Sequence, residues 1–409
     1  MAFGWRKLCA GLGLVAALAG LAGGAALAAE PVVSEIRLGE HPDKTRFVME
    51  LDAAPAYRIF SLTDPYRVVI DLPKVDWRIP DAAKERNRGV VERLRFGLFA
   101  PDTSRVVLDA AAPVRVRSAF VIPPRDGHPY RLVVDLTRVS ERKFARRERN
   151  RVITSDTPLP TPDRREAQVA APSDSEAGKP TVVLDAGHGG VDPGAIGVDG
   201  AHEKVIALDY AQALKRALEA TGRYRVILTR DRDIFLRLRQ RVALAQEAEG
   251  NLFISLHANT HSSNNIRGAS VYTLSETSSD SEAAALAEKE NKADVIAGVD
   301  LNGQSATVSQ ILIDLAQRET MNTSKHFANL LVNELDGNRV KLLRNTHRFA
   351  GFAVLKSPNV PSVLFEIGYM SHPKEVRLLR SAAHRRKVNN AVVGAVNRFF
   401  EWQEARNRL

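Results

Sequence analysis

Cysteine is almost missing from this 409-residue chain, and the one thiol, Cys9, lies close to the N-terminus. That excludes disulfides and thiolate metal sites from the body of the protein, so any metal must be held by His, Asp or Glu. Long apolar runs are equally scarce. The uncharged stretch from Leu8 to Leu27 follows Arg6 and Lys7 and ends in Ala26-Leu27-Ala28, a small-x-small site. This is the pattern of a secretory signal over residues 1–28, with an uncleaved anchor as the alternative. Arg6-Lys7 is not a full twin-arginine pair and leaves the export route open between Sec and Tat, and the residues before Cys9 do not form a lipidation site. Once the signal is removed, no transmembrane segment is expected.

Acidic residues are outnumbered, 48 against 58 Lys and Arg, for a net charge of +10. Loss of residues 1–28 removes Arg6 and Lys7 and no acid, leaving +8. An exported basic chain is biased towards anionic surfaces such as wall polymers or lipid head groups, and that compartment argues against nucleic acid as a partner. Generic surface solubility is the plainer explanation of the charge. The length suggests two domains and a linker.

From Val32 to about Ser140 the sequence alternates in short strands: Arg46–Leu51, Arg67–Leu72, Arg105–Leu108 and Arg131–Leu136. The segment 45–72, with Pro65-Tyr66-Arg67 and Val-Ile-Asp-Leu, is echoed over 104–136 by Pro129-Tyr130-Arg131 and Val-Val-Asp-Leu. Two copies of one strand unit predict a β-sandwich in which each half covers the other. No cluster of catalytic side chains falls within residues 30–140, which therefore read as a targeting or binding module. Residues 141–178, first Arg-rich and then rich in Pro, Ser, Thr, Asp and Glu, read as a flexible linker.

From 179 to 409 strands alternate with helices, the pattern of a mostly parallel twisted sheet flanked by helices. The predicted strands are Thr181–Asp185, Tyr224–Thr229, Leu252–Leu256, Ala269–Leu274 and Pro361–Phe365; the predicted helices are Glu203–Ala220, Leu236–Glu249 and Lys387–Trp402. His188, His257 and Glu366 each follow the carboxyl end of one of these strands, where ligands collect in open α/β sheets, and Glu203 opens the first helix. Two histidines and a carboxylate are a recurring ligand set for catalytic zinc, and a further carboxylate suits the proton acceptor. Taken singly, Glu203 is also explained by the helix dipole, and either histidine by a satisfied turn or strand end. Glu366 closes a wholly apolar strand and is the hardest to explain otherwise, because an unpaired buried carboxylate is costly. His202 is a competing ligand; His261, His347 and His372 rank lower.

Leu184-Asp185-Ala186-Gly187-His188-Gly189-Gly190, Glu203-Lys204, Ser255-Leu256-His257-Ala258-Asn259, Gly351-Phe352-Ala353-Val354-Leu355 and Val363-Leu364-Phe365-Glu366-Ile367-Gly368 resemble the zinc-dependent N-acetylmuramoyl-L-alanine amidases, in particular the periplasmic AmiC/AmiB type. The resemblance spans about residues 180–403, and the repeat in front is similar to the AMIN domain that localises such enzymes on the wall. It implies one Zn2+ on His188, Glu203 and His257, Glu366 as catalytic glutamate, peptidoglycan as substrate and a role in daughter-cell separation. Asn259 is a candidate for orienting substrate. His202 is a departure from the family pattern, where a small residue is more usual. A helical insertion, about 276–320, resembles the autoinhibitory element that a LytM-type activator displaces in that subgroup. Within it Ser279–Glu282 reads as a capping box for a helix over 281–293, and an amphipathic helix follows over 308–335. Glu290 is the candidate inhibitory ligand, with Glu282 and Glu288 as competitors and a solvated helix face as the plain alternative. Two rival readings are a scaffold that keeps the metal without catalysis and a zinc carboxypeptidase acting on the same polymer.

Overall fold

The structure, a computed structural model, describes residues 30–79, 88–148, 151–157, 159, 178–299 and 311–408. The expected signal segment 1–28, most of the expected linker and residues 300–310 of the insertion lie outside the described residues.

The N-terminal part is built from β1 (Val32–His41), β2 (Lys44–Leu51), β3 (Arg58–Leu62), β4 (Arg67–Pro73), β5 (Asp76–Trp77), β6 (Val91–Ala100), β7 (Thr103–Ala110), β8 (Val114–Ile122) and β9 (Tyr130–Arg138). With β10 (Val152–Thr154) they form two five-stranded sheets, ordered β5-β1-β2-β9-β8 and β10-β3-β4-β7-β6. The sequence repeat explains this arrangement. β2 is echoed by β7 and β4 by β9, and the central antiparallel pairs are β2 with β9 and β4 with β7. Each repeat thus gives one hairpin to each sheet, and the inward residues of both, among them Phe47, Leu51, Ile70, Val106, Leu132 and Val134, make one core. The first residues read as linker are instead ordered. α1 (Glu141–Arg147) is capped by Ser140, whose side chain accepts from Lys143 N, and β10 pairs with β3 as an edge strand. The Arg-rich composition hid a buried aromatic anchor, Phe144, which packs edge-on against Tyr66.

The C-terminal part runs β11 (Thr181–Ala186), α2 (Glu203–Glu219), β12 (Arg225–Leu228), α3 (Leu238–Glu247), β13 (Leu252–Asn259), β14 (Ala269–Leu274), α4 (Ser281–Asn291), α5 (Ala293–Ile296), α6 (Ile311–Gly337), β15 (Leu342–Ala350), β16 (Ser362–Tyr369), α7 (Pro373–Leu379) and α8 (Ala382–Asn407). The six-stranded sheet is ordered β12-β11-β13-β16-β14-β15 and is parallel except where β14 runs against β16. β11, β13 and β16 are buried along their whole length, which is why they read as unbroken apolar runs. One face is covered by α2, α6 and α8 through Tyr210, Leu214, Phe327, Leu331, Val392 and Phe399. The other is covered by α3 and α4 through Ala245, Ala283 and Leu286, against Phe253 and Leu364.

Two expectations about the insertion are corrected. The cap of α4 is Asp280, whose side chain accepts from Ala283 N at 2.8 Å, rather than Ser279. Glu282 is consequently not half of a capping box and pairs with Arg348 at 2.8 Å. The excursion also carries β15, a polar edge strand with Arg344 and Thr346, whose composition gives no apolar run to read. Among the described residues no helix is long and apolar enough to cross a membrane.

Candidate metal centre

The strand order sets β11, β13 and β16 side by side, so the turns at their carboxyl ends share one edge. Register does the rest, pairing His257 on β13 with Glu366 on β16. His188 leaves β11 in the left-handed region, φ 59°, and its ring turns back over the sheet end. Glu203, the first residue of α2, comes in from beside the same turn and is fully buried. Two glycines make room for these rings. A Cβ on Gly187 would collide with the imidazole of His257, and one on Gly194 (φ +67°) would lie 2.6 Å from His188 Cδ2 and 2.7 Å from Glu203 Oε2.

Glu203 Oε1 lies 3.1 Å from His188 Nε2 and 2.9 Å from His257 Nδ1, and it accepts from Ala258 N at 3.0 Å. Its other oxygen accepts from Ala195 N at 2.8 Å, which fixes the carboxylate plane. Ligand atoms of His188, Glu203 and His257 all lie within 4.8 Å of one another, as do those of His257, Glu290 and Glu366. All five residues are buried.

Glu290 comes from α4. Its stripe, Ala283, Leu286, Ala287 and Glu290, faces inward at helical spacing, so a carboxylate stands at a position otherwise given to apolar side chains. Glu290 Oε2 reaches 3.2 Å from His188 Nε2 and 3.4 Å from His257 Nδ1, on the nitrogens that Glu203 also approaches. Of its competitors, Glu282 pairs with Arg348 and Glu288 with Lys292, both away from the centre. Lys289, next along the helix, contacts Glu290 Oε1 at 3.2 Å and donates to Asn259 Oδ1 at 3.3 Å, so the helix covers Asn259 as well.

Burial works against charge throughout this cluster, yet the neighbours decide each outcome. It pulls the His188 pKa down, but the carboxylates of Glu203, Asp192 and Glu290 outweigh it and raise that pKa well above the usual value. Burial opposes ionisation of Glu203, whose pKa is nevertheless held well below normal by His188 and by bonds from both imidazoles. Glu290, equally buried, is brought down to about 2 by Lys289, His188 and His257. Glu366 goes the other way. Burial and the negative charges of Glu203 and Glu290 raise its pKa well above normal, and neither carboxyl oxygen has a hydrogen-bond partner. A buried carboxyl without a hydrogen-bond partner, beside two imidazoles and two further carboxylates, is a donor set whose N/O composition suits a divalent cation.

Several supporting residues were not singled out from the sequence. Asp192 Oδ2 lies 2.8 Å from His188 Nδ1 and so turns Nε2 towards the centre. Buried Arg241 donates to Asp185 Oδ1, Ala186 O and His188 O, each at 2.7 Å, while Arg230 donates to Ala186 O and Gly187 O at 2.8 Å. Asp192 follows His188 by four residues in a glycine-rich turn, a spacing that points to it. The arginines lie on other elements and show no periodic pattern. His202 occupies the N-cap position of α2 without a side-chain capping bond and belongs to neither ligand group. His261 lies 3.6 Å from Glu282, His347 bonds Thr273 and Asn329, and His372 caps α7.

Residues 182–398 match the N-acetylmuramoyl-L-alanine amidase family, and residues 35–126 match the AMIN domain. The chain belongs to the N-acetylmuramoyl-L-alanine amidase family. The amidase is 32% identical over 384 residues to N-acetylmuramoyl-L-alanine amidase AmiC of Neisseria meningitidis serogroup B, covering 90% of each chain. It is 32% identical to AmiC of Escherichia coli O6:H1 over 91% of each chain. It is 39% identical to AmiA of Escherichia coli K12 over 226 residues, 55% of this chain and 78% of that one. The AMIN match falls on the β-sandwich, and the catalytic match takes in every residue of the centre.

Proposed function

We propose that this amidase hydrolyses the amide joining the lactyl group of N-acetylmuramic acid to L-alanine of the stem peptide, with a zinc ion that His188, Glu203 and His257 would hold. Zinc, when bound, supplies a Lewis acid able to polarise an amide carbonyl and to acidify water. The protein supplies the rest. Glu366 takes the proton of the attacking water and delivers it to the alanine nitrogen as the C–N bond breaks, leaving a lactyl carboxylate and a free N-terminus. Its burial and the neighbouring carboxylates of Glu203 and Glu290 hold its pKa above the ordinary carboxylate range, which favours accepting a proton. Asn259, at the rim beside His257, orients the substrate once Lys289 has left it.

As folded, the enzyme is inhibited by its own α4. The Glu290 carboxylate faces the two ligand imidazoles and fills the place that water and substrate need. The protein is exported to the periplasm, where a LytM-type activator displaces the helix and the enzyme acts in daughter-cell separation. The observation that carries this reading is the convergence of a buried His188–Glu203–His257 set, an unpartnered Glu366 and a plugging Glu290. It is tested by incubating the zinc-loaded full chain with purified peptidoglycan and identifying products by mass. Stem peptides beginning at L-alanine are expected, released faster by Glu290→Ala and at least a hundredfold more slowly by Glu366→Gln, the scale of a lost general base. Peptides cut at another bond would assign the enzyme to a different hydrolase class.

A further inference from the structure

The AMIN domain does more in this molecule than precede the enzyme, because the outer face of its β10-β3-β4-β7-β6 sheet is in contact with the inhibitory segment itself. α4 is followed by α5 with only Lys292 between them, so one short continuous segment joins Glu290 to residues 295–299. Glu290 is at one end, over the centre. The other end is gripped by the AMIN sheet. Arg105 on β7 donates to Gly298 O at 2.7 Å and to Ala297 O at 3.2 Å, and Arg67 on β4 donates to Val295 O. Ala297 O and Gly298 O lie just past the C-terminus of α5, where a cation is favoured, while Val295 O also accepts from Gly298 N at 3.0 Å.

Arg105 is built for this position. It is buried, held by Asp71 through two bonds at 2.6 and 2.9 Å, and lies 3.4 Å over the ring of Phe99. Around it Val107 and Phe99 of the AMIN domain pack with Val191, Phe235, Ala297 and Val299 of the catalytic domain. Phe99 stacks on Phe235 with centroids 5.8 Å apart and planes 12° from parallel, and Phe235 N donates to Leu98 O at 3.1 Å. A desolvated arginine fork ringed by apolar contacts has the composition of an interface hot spot rather than of a solvated domain boundary.

We propose that the AMIN domain is the second half of the autoinhibitory lock: its outer sheet face is a docking surface whose occupant is residues 295–299 of the same chain, and seating that segment holds Glu290 on the metal centre. A partner or wall ligand that takes this face, or draws the domain away, removes the grip and favours opening of α4. The inference rests on the autoinhibition proposed above, and the test separates the two. Phe99 lies outside the AMIN core, so Phe99→Ala leaves that fold intact; Val299→Ala probes the other side of the contact.

In the full zinc-loaded chain without activator, each variant is expected to speed hydrogen exchange of the amides over 281–299. Each is also expected to raise the basal rate of wall hydrolysis about five- to tenfold, the scale of truncating one well-packed interface side chain. In a Glu290→Ala background neither adds a further rise, since the plug is already gone. If Glu290→Ala raises the rate while Phe99→Ala and Val299→Ala change neither rate nor exchange, the AMIN grip is refuted and autoinhibition stands. If Glu290→Ala leaves the rate at its basal value, autoinhibition fails and the proposed lock falls with it.

Discussion

A histidine ring offers two nitrogens to a metal, and in His188 the choice is made by Asp192. The carboxylate takes Nδ1 at 2.8 Å and is itself fixed by Gly194 N, which donates to Asp192 Oδ1 at 3.1 Å. Such a partner sets the tautomer, aims the ring and raises its basicity. Asp192→Ala should therefore weaken zinc binding by about 10- to 100-fold while leaving all three ligands in the sequence. Competition titration of the purified variant against a chelator of known affinity measures this. An affinity equal to that of the parent would mean that the Arg241 and Arg230 bonds to the loop carbonyls position His188 on their own.

Elements carry a different kind of information, and α8 shows how. Its stripe Val388, Val392, Val396 and Phe399 is plain in the sequence, but His384, on its first turns, is buried too. Burial, with Lys387 nearby, pushes the His384 pKa down to about 4. The unfolded chain then binds more protons than the folded one between about pH 4 and pH 6.5. Stability is full above the upper limit and falls as pH drops through the window, by about 2 kcal/mol once residual solvent contact is allowed for. Urea unfolding in chelator at pH 7.5 and pH 4.5 should show this difference shrink in His384→Gln, and an identical pH dependence in the variant would refute it. The same contrast explains what the sequence disclosed. β11, β13 and β16 are apolar because both faces are covered, and His188, His257 and Glu366 stood out as polar residues where those runs stop. β15, β10 and α1 were illegible because each is a polar surface element held by a few tertiary contacts. Arg230 and Arg241 act through bonds to backbone that no spacing rule encodes, whereas Asp192 holds the His188 ring from four residues on.

At the scale of the whole molecule, the sandwich and the α/β domain differ in what a cation can do for them. The proposed metal ligands all come from residues 188–257, and the buried carboxylates of Glu203, Glu290 and Glu366 repel one another when no cation is bound. A ligand that binds only the folded state stabilises it by RT ln(1 + [L]/Kd), about 4 kcal/mol at a thousandfold excess over Kd. For a domain of this size that is roughly 10 °C in Tm. The AMIN sandwich has its own core and no ligand group among its described residues, so it shares in the gain through its contacts with the catalytic domain around Phe99, Arg105 and Arg67. Calorimetry of the full chain in chelator and then in excess zinc should show the catalytic transition rise by about that amount and the AMIN transition move far less. Glu203→Ala should abolish the rise. Two transitions that shift equally would mean that the domains unfold as one unit, and the absence of any zinc-dependent shift would argue against His188, Glu203 and His257 as a metal site.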